Sequence, residues 1–249
     1  METIVPKTSA ALSSLLRADF TTQWRNRRSS VLILLVPVLI LISWKGIIDK
    51  MGGAFALSTC ITLGLIAIGL MGYSNAIARD RDKGVFQRLR VTPVPTWSIM
   101  ISRLMVQLAM IILLTAIVFF AGFYFDKISL SPIGYTLTFF TAIVGGALYL
   151  GLGQMIVGLV KNAETVNSTT RLVYFLFIMV GIVGDMGALG EDFKNAVHWS
   201  PYGTVKSILS ASMEPATWSN QATMALVATI AYTIFFGTLG IKKFKWSTH

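Results

Sequence analysis

Apolar residues in this chain gather into six blocks joined by short polar links. They run from Val31 to Trp44, continuing to Ile48, then Ala54–Ala78, Ile99–Phe123, Tyr135–Val160, Leu172–Leu189 and Ala222–Ile241. A helix needs about 20 apolar residues to cross a hydrocarbon core. The first block is short for that, but Lys45 and Lys50 can reach the interface and Trp44 can sit in it. Pro37 falls inside this block and predicts a bend. The pattern predicts an all-α polytopic membrane protein with six transmembrane helices. Between the fifth and sixth blocks, Ala196–Ser212 is apolar but holds His198, Pro201 and Lys206. It reads as a short interfacial or re-entrant helix.

Ahead of the first block lies SAALSSLLRADFTTQWRNRRSS, Ser9–Ser30. Leu12, Leu15, Leu16, Phe20 and Trp24 form a stripe at helical spacing, with Arg17, Arg25, Arg27 and Arg28 on a basic face or end. This predicts an amphipathic helix on the membrane surface. It either guides the chain into the first span or contacts a soluble partner. The organisation that follows is a cytoplasmic N-terminal segment (1–30), one six-span membrane domain (31–241) and a short basic tail (242–249).

Composition sharpens this picture. Of 249 residues, 54% are hydrophobic and 13% charged, about half the charge of a soluble domain. The net charge is +10. Sixteen of the twenty-one Lys and Arg fall on one side of the six-span topology. The positive-inside rule then puts both termini in the cytoplasm, and the cytoplasmic membrane of a prokaryote is the expected location. Topology and anionic membrane lipids account for the basicity without a nucleic-acid partner. Cys60 is the only cysteine and His198 and His249 the only histidines, so neither a disulfide within the chain nor a zinc cluster is expected. A cleavable leader is not expected either, because the first apolar block starts late.

One link stands apart. ARDRDKGVFQRLRVTPVP, Ala78–Pro95, is dense in charge between two nearly uncharged blocks. Val85, Phe86 and Leu89 give one apolar face; Gln87, Arg88 and Arg90 take the others. Asp80 and Asp82 suit a helix start, and Pro93 and Pro95 end it. The expected product is a short amphipathic helix at the membrane face, suited to docking on a partner.

This link resembles the stretch after the second span in ABC-2 type membrane subunits of ATP-binding-cassette transporters. An acidic-basic-acidic run with a following Gly leads there into an apolar helix and a Thr-Pro. Asp80, Asp82, Gly84, Leu89, Thr92 and Pro93 match; Val85 stands where Thr is common and Arg90 where an apolar residue is. His198-Trp199-Ser200-Pro201-Tyr202-Gly203 is similar to the family's Asn-Pro-aromatic-small run between spans five and six, with Ser200 for Asn. The resemblance implies an ATPase-coupling segment at Asp80, Arg81, Asp82, Lys83, Gly84, Val85, Phe86, Arg88, Leu89 and Pro93. It implies a separate ABC ATPase subunit in two copies that carries ATP and Mg, with a second copy of this chain or a related permease beside it. This chain has no GxxxxGK[ST] run and no cofactor of its own is expected.

The cargo path is less visible. Asn75 and Gln154 are polar groups in or near spans, facing a helix partner or a cavity. With Phe139, Phe140 and Phe175 they outline an apolar path suited to a small amphipathic or lipid-like export substrate. The span-four glycines, Gly145 to Gly158, point to close helix packing. Three other classes compete. A secondary transporter or channel would carry charges deep in its spans, and these spans are nearly free of them. A non-transporting scaffold would insert and assemble without turnover. An intramembrane enzyme has only Asp185 and His198 to offer, with no nucleophile beside them.

Overall fold

The computed structural model describes residues 8–25, 27–90, 96–187 and 189–244. Among these every regular element is a helix. An amphipathic helix α1 (Thr8–Arg25) leads into α2 (Arg27–Ser43), and α3 (Lys45–Met51) turns the chain back. One long helix follows in three segments: α4 (Gly53–Ile66), a π-helical stretch (Ala67–Ser74) and α5 (Asn75–Asp82). Then come α6 (Val85–Arg90), α7 (Thr96–Asp126), α8 (Pro132–Leu159), α9 (Ala163–Asp185), α10 (Glu191–His198), α11 (Pro201–Met213), a 3-10 turn (Pro215–Thr217) and α12 (Asn220–Lys243).

Five helices are long and apolar enough to cross a bilayer: 53–82, 98–126, 132–159, 163–185 and 220–243. The α1–α2 pair, bent by 59°, brings the number to as many as six. The bend falls between these two helices, ahead of Pro37, which α2 carries in its interior. The fifth span begins at Ala163, nine residues before the expected Leu172. Asn162 caps it, its side chain accepting from the Glu164 and Thr165 amides at 2.7 and 3.2 Å. Its polar first turns hide the start from a hydropathy reading. It ends at Asp185 rather than Leu189, where Gly187 and Gly190 take positive φ.

The long second helix is the axis of the bundle. Its apolar window is 83% buried, against 17% for α9 and for α12. Close approach explains how α8 reaches it. A Cβ on Gly69 would stand 2.5 Å from the Tyr149 carbonyl, and one on Gly153 would stand 2.5 Å from the Gly69 oxygen. Both clash, so glycine lets these backbones touch. The π-helical stretch lies at this crossing, and the Ser74 hydroxyl donates to the Gly69 carbonyl at 2.8 Å.

Ser200 caps α11, accepting from the Gly203 amide at 3.3 Å, with Pro201 at the first helical position. Serine here does the capping that Asn would do. Most of α11 is buried, including Tyr202, Val205, Ile208 and Leu209. The Tyr149 hydroxyl donates to the Pro201 carbonyl at 3.1 Å, and the Met213 end passes Gly134 of α8. Tyr149 lies about 25 Å along α8 from Pro132. The helix therefore runs beside α8 from beyond its middle back to its first turn.

Candidate functional site: the charged end of the bundle

The basic residues of α5, α7, α9 and α12 share one end of the bundle. There the long second helix runs on through Arg79, Asp80, Arg81 and Asp82 before it stops. Asp80 and Asp82 thus close α5 instead of opening α6. The reason is continuity: the apolar span carries helical hydrogen bonding straight into its charged end. Lys83 and Gly84 make the elbow, with Gly84 at φ +67°, a conformation that costs other residues about 1 kcal/mol or more. The Arg88 guanidinium donates back to the Lys83 carbonyl at 3.0 Å.

On α6 the apolar side points inward. Phe86 is fully buried and meets Phe244 edge-on, ring centroids 6.0 Å apart. Val85 is half-buried, and Leu89 packs partly against the core. The apolar face anchors α6 to its own membrane domain, leaving Asp82, Lys83, Gln87 and Arg88 exposed. Pro93, the expected helix stop, lies outside the described residues.

Arg81 has the least exposed charged side chain at this end, at 2%. Its guanidinium donates to the carbonyls of Val157, Val160 and Lys161 at 2.7, 2.8 and 2.6 Å. These are the last carbonyls of α8 and its exit, which have no partners within the helix. One planar cation thus caps α8 and fixes the α5 end to it. The resemblance placed Arg81 in the coupling segment; the structure turns its side chain into the protein.

A second tie was not anticipated from the sequence. Arg103 of α7 lies 2.6 Å from Asp80 and 3.4 Å from Asp19 of α1. The Ser102 hydroxyl donates to Asp19 at 2.5 Å. Its only sequence signal was an Arg at the start of a span and an Asp interrupting the stripe of α1. With these ties α1 is held to the same end as the elbow.

The expected path residues do not surround one cavity. Phe140 and Phe175 are 64% and 56% exposed and face outward. Phe139 is half-buried, edge-on to Phe119 at 5.7 Å. Asn75 donates to the Met71 carbonyl at 3.1 Å and accepts from Thr170 at 3.4 Å. Gln154 is buried and accepts from the Tyr73 hydroxyl at 2.8 Å. Gln154 and Tyr73 line an apolar cavity of about 390 Å³ between α7, α8 and α12.

At the opposite end, Lys206 of α11 lies 2.6 Å from Asp185 of α9. Tyr202 donates to the same carboxylate at 2.9 Å, and the Lys206 ammonium sits 3.7 Å over the Phe55 ring. A polar cavity of about 490 Å³ opens beside this group, with His198 and Ser207 in its wall.

An all-helical bundle with five or six helices long and apolar enough to cross a bilayer, a cross-braced basic end and an exposed elbow after its second span is that of a multi-pass membrane protein. Residues 10–202 match the family described as ABC-2 type transporter. The chain is also 22% identical over 187 residues to the Bacillus subtilis (strain 168) protein named "Putative transport permease YvfS", covering 74% of each. This chain belongs to the ABC-2 type transporter family. It is a transporter permease subunit, and the family implies an ATPase partner.

Proposed function

We propose that this chain forms the membrane path of an ATP-driven exporter for a small amphipathic or lipid-like compound. Two copies, or one copy and a related permease, stand with two ATPase subunits, which carry ATP and Mg. The basic end faces the cytoplasm, as the distribution of Lys and Arg favours.

The observation that carries this reading is the elbow. Its exposed side, Asp82, Lys83, Gln87 and Arg88, is polar and free to meet a partner. Its inner side is tied into the bundle through Phe86, Arg81 and the Arg103 cluster. A push on α6 therefore reaches the second helix, α8 and α1 together. Phe86 and Leu89 act in this scheme as anchors, while Lys83 and Arg88 set the docking geometry. Rim charges of this kind tune encounter more than affinity.

The test is isolation of the chain from native membranes in mild detergent, with mass spectrometry of what stays bound and an ATPase assay. A stoichiometric P-loop subunit is expected, with hydrolysis lost in the Lys83→Glu/Arg88→Glu variant while the membrane subunit stays folded. A transport-competent preparation with no ATPase would sink the reading.

A further inference from the structure

We propose that the cavity between α7, α8 and α12 is a ligand site for an apolar molecule carrying one hydrogen-bond acceptor, and that Phe244 reports its occupancy to α6. The proposal rests on the permease reading only for what occupancy does, not for binding itself. The cavity measures about 390 Å³, within the range of small-molecule sites. Met100 and Leu104 line one side, Leu150 and Gly237 others. The wall holds a buried amide. Gln154 takes the Tyr73 hydroxyl on its oxygen at 2.8 Å, while among the described residues its nitrogen has no hydrogen-bond partner.

That amide selects the occupant. A plain acyl chain would leave the nitrogen unsatisfied in an apolar surrounding, which is unfavourable. A molecule with a carbonyl, ether or hydroxyl oxygen satisfies it and fills the apolar walls. The same cavity touches the coupling element. Phe244 lines the cavity, and its ring stands edge-on to Phe86 of α6 at 6.0 Å. A ligand that moves Phe244 moves the packing of α6. The link is one ring deep, so occupancy and elbow position need no longer relay.

The probe is benzophenone, an apolar molecule with a single carbonyl acceptor and a photoreactive group. The full chain in phosphatidylcholine nanodiscs is irradiated with benzophenone, and adducts are mapped by peptide mass spectrometry. Adducts are expected on Met100, Leu104 and Ile241. A Cβ on Gly237 meets no atom within 4 Å, so Gly237→Trp fills the cavity without a backbone clash. It should cut those adducts about tenfold, the equivalent of 1.4 kcal/mol. Gln154→Met should cut them about fivefold, as loss of one hydrogen bond predicts. Adducts on outward-facing Phe140 and Phe175 should stay constant, which separates a filled site from a misfolded chain. Labelling of Met100 and Leu104 no stronger than that of Phe140, and indifferent to Gly237→Trp, would mean the groove holds only lipid and would overturn the site. In the complex with its ATPase, benzophenone should alter hydrolysis, and Phe244→Ala should abolish that response while labelling persists. A retained response would overturn the role of Phe244. Labelling without any associated ATPase would defeat the exporter reading and leave the site standing.

Discussion

The two ends of the bundle are held together in different ways. At the basic end, Arg81 caps α8 with three carbonyl contacts and Arg103 joins α7 to α1 and α5. At the other end, α9 and α11 share a single cluster, Asp185 with Lys206 and Tyr202, beside a polar cavity. The braces of the basic end cross four helices. The Asp185 end has one buried ion pair, joined by Tyr202 and the Phe55 ring, so among the described residues it carries fewer charged braces. Charged braces are thus concentrated at the basic end.

The comparison breaks most sharply at Arg81. Arg81→Leu should cost about 4 kcal/mol, because it strands the end of α8 without its donors in a buried setting. Thermal unfolding in detergent measures this, and Arg81→Lys should recover less than half, since an ammonium cannot fork across three carbonyls. The fulcrum between the ends comes next. Gly153→Val should cost about 2–3 kcal/mol by forcing α8 off the Gly69–Ser74 segment, seen as the same drop in melting. At the second brace, Arg103→Met should cost about 2 kcal/mol and speed tryptic cleavage at Arg17 as α1 comes away.

The Asp185 end should respond more weakly than Arg81. Asp185→Asn or Lys206→Met alone should cost about 2 kcal/mol, and the two together about 1 kcal/mol or less, since removing both charges leaves neither one stranded. A double-mutant cycle on unfolding decides it. If Lys206→Met alone cost as much as Arg81→Leu, the contrast between the ends would collapse. The smallest stability effect belongs to the exposed elbow. Arg88→Glu should stay within about 0.5 kcal/mol of the parent, yet slow ATPase association about tenfold at low salt, by surface plasmon resonance.

Much of the fold was legible as pattern. Blocks of apolar residues marked the spans because a helix in hydrocarbon must be apolar along its length. The elbow after the second span and the amphipathic helix before the first were legible for the same reason, as polar breaks between such blocks. The span-four glycines read correctly as packing sites: Gly146 lies on Ile111, Gly153 on Gly69 and Gly158 on Gly240. The polar start of α9 was missed because helix and hydrophobic stretch need not coincide. The π-helical turn at Ala67–Ser74 was missed because its apolar sequence reads the same at either helical period.

The candidate site was legible in place and not in direction. The sequence marked residues 79–89 as exceptional, but a six-residue helix with apolar and charged sides fits equally well facing a partner or its own bundle. Phe86 turned inward because Phe244, more than 150 residues later, supplies a ring to pack against. Likewise Arg81 lies 76 to 80 residues from the carbonyls it caps, and Asp19 lies 84 residues from Arg103.

The sequence by itself determined that the chain crosses a membrane several times, which end carries the positive charge and where the helical elbow falls. These follow from local composition, since the bilayer as solvent judges each segment separately. Only the tertiary structure decided which charges are braces and which are exposed, which way Phe86 faces, and that Gln154 both meets Tyr73 of the second helix and lines a cavity. Those outcomes depend on what the fold brings beside each side chain from far along the chain, and a buried charge or amide has to find its partner there.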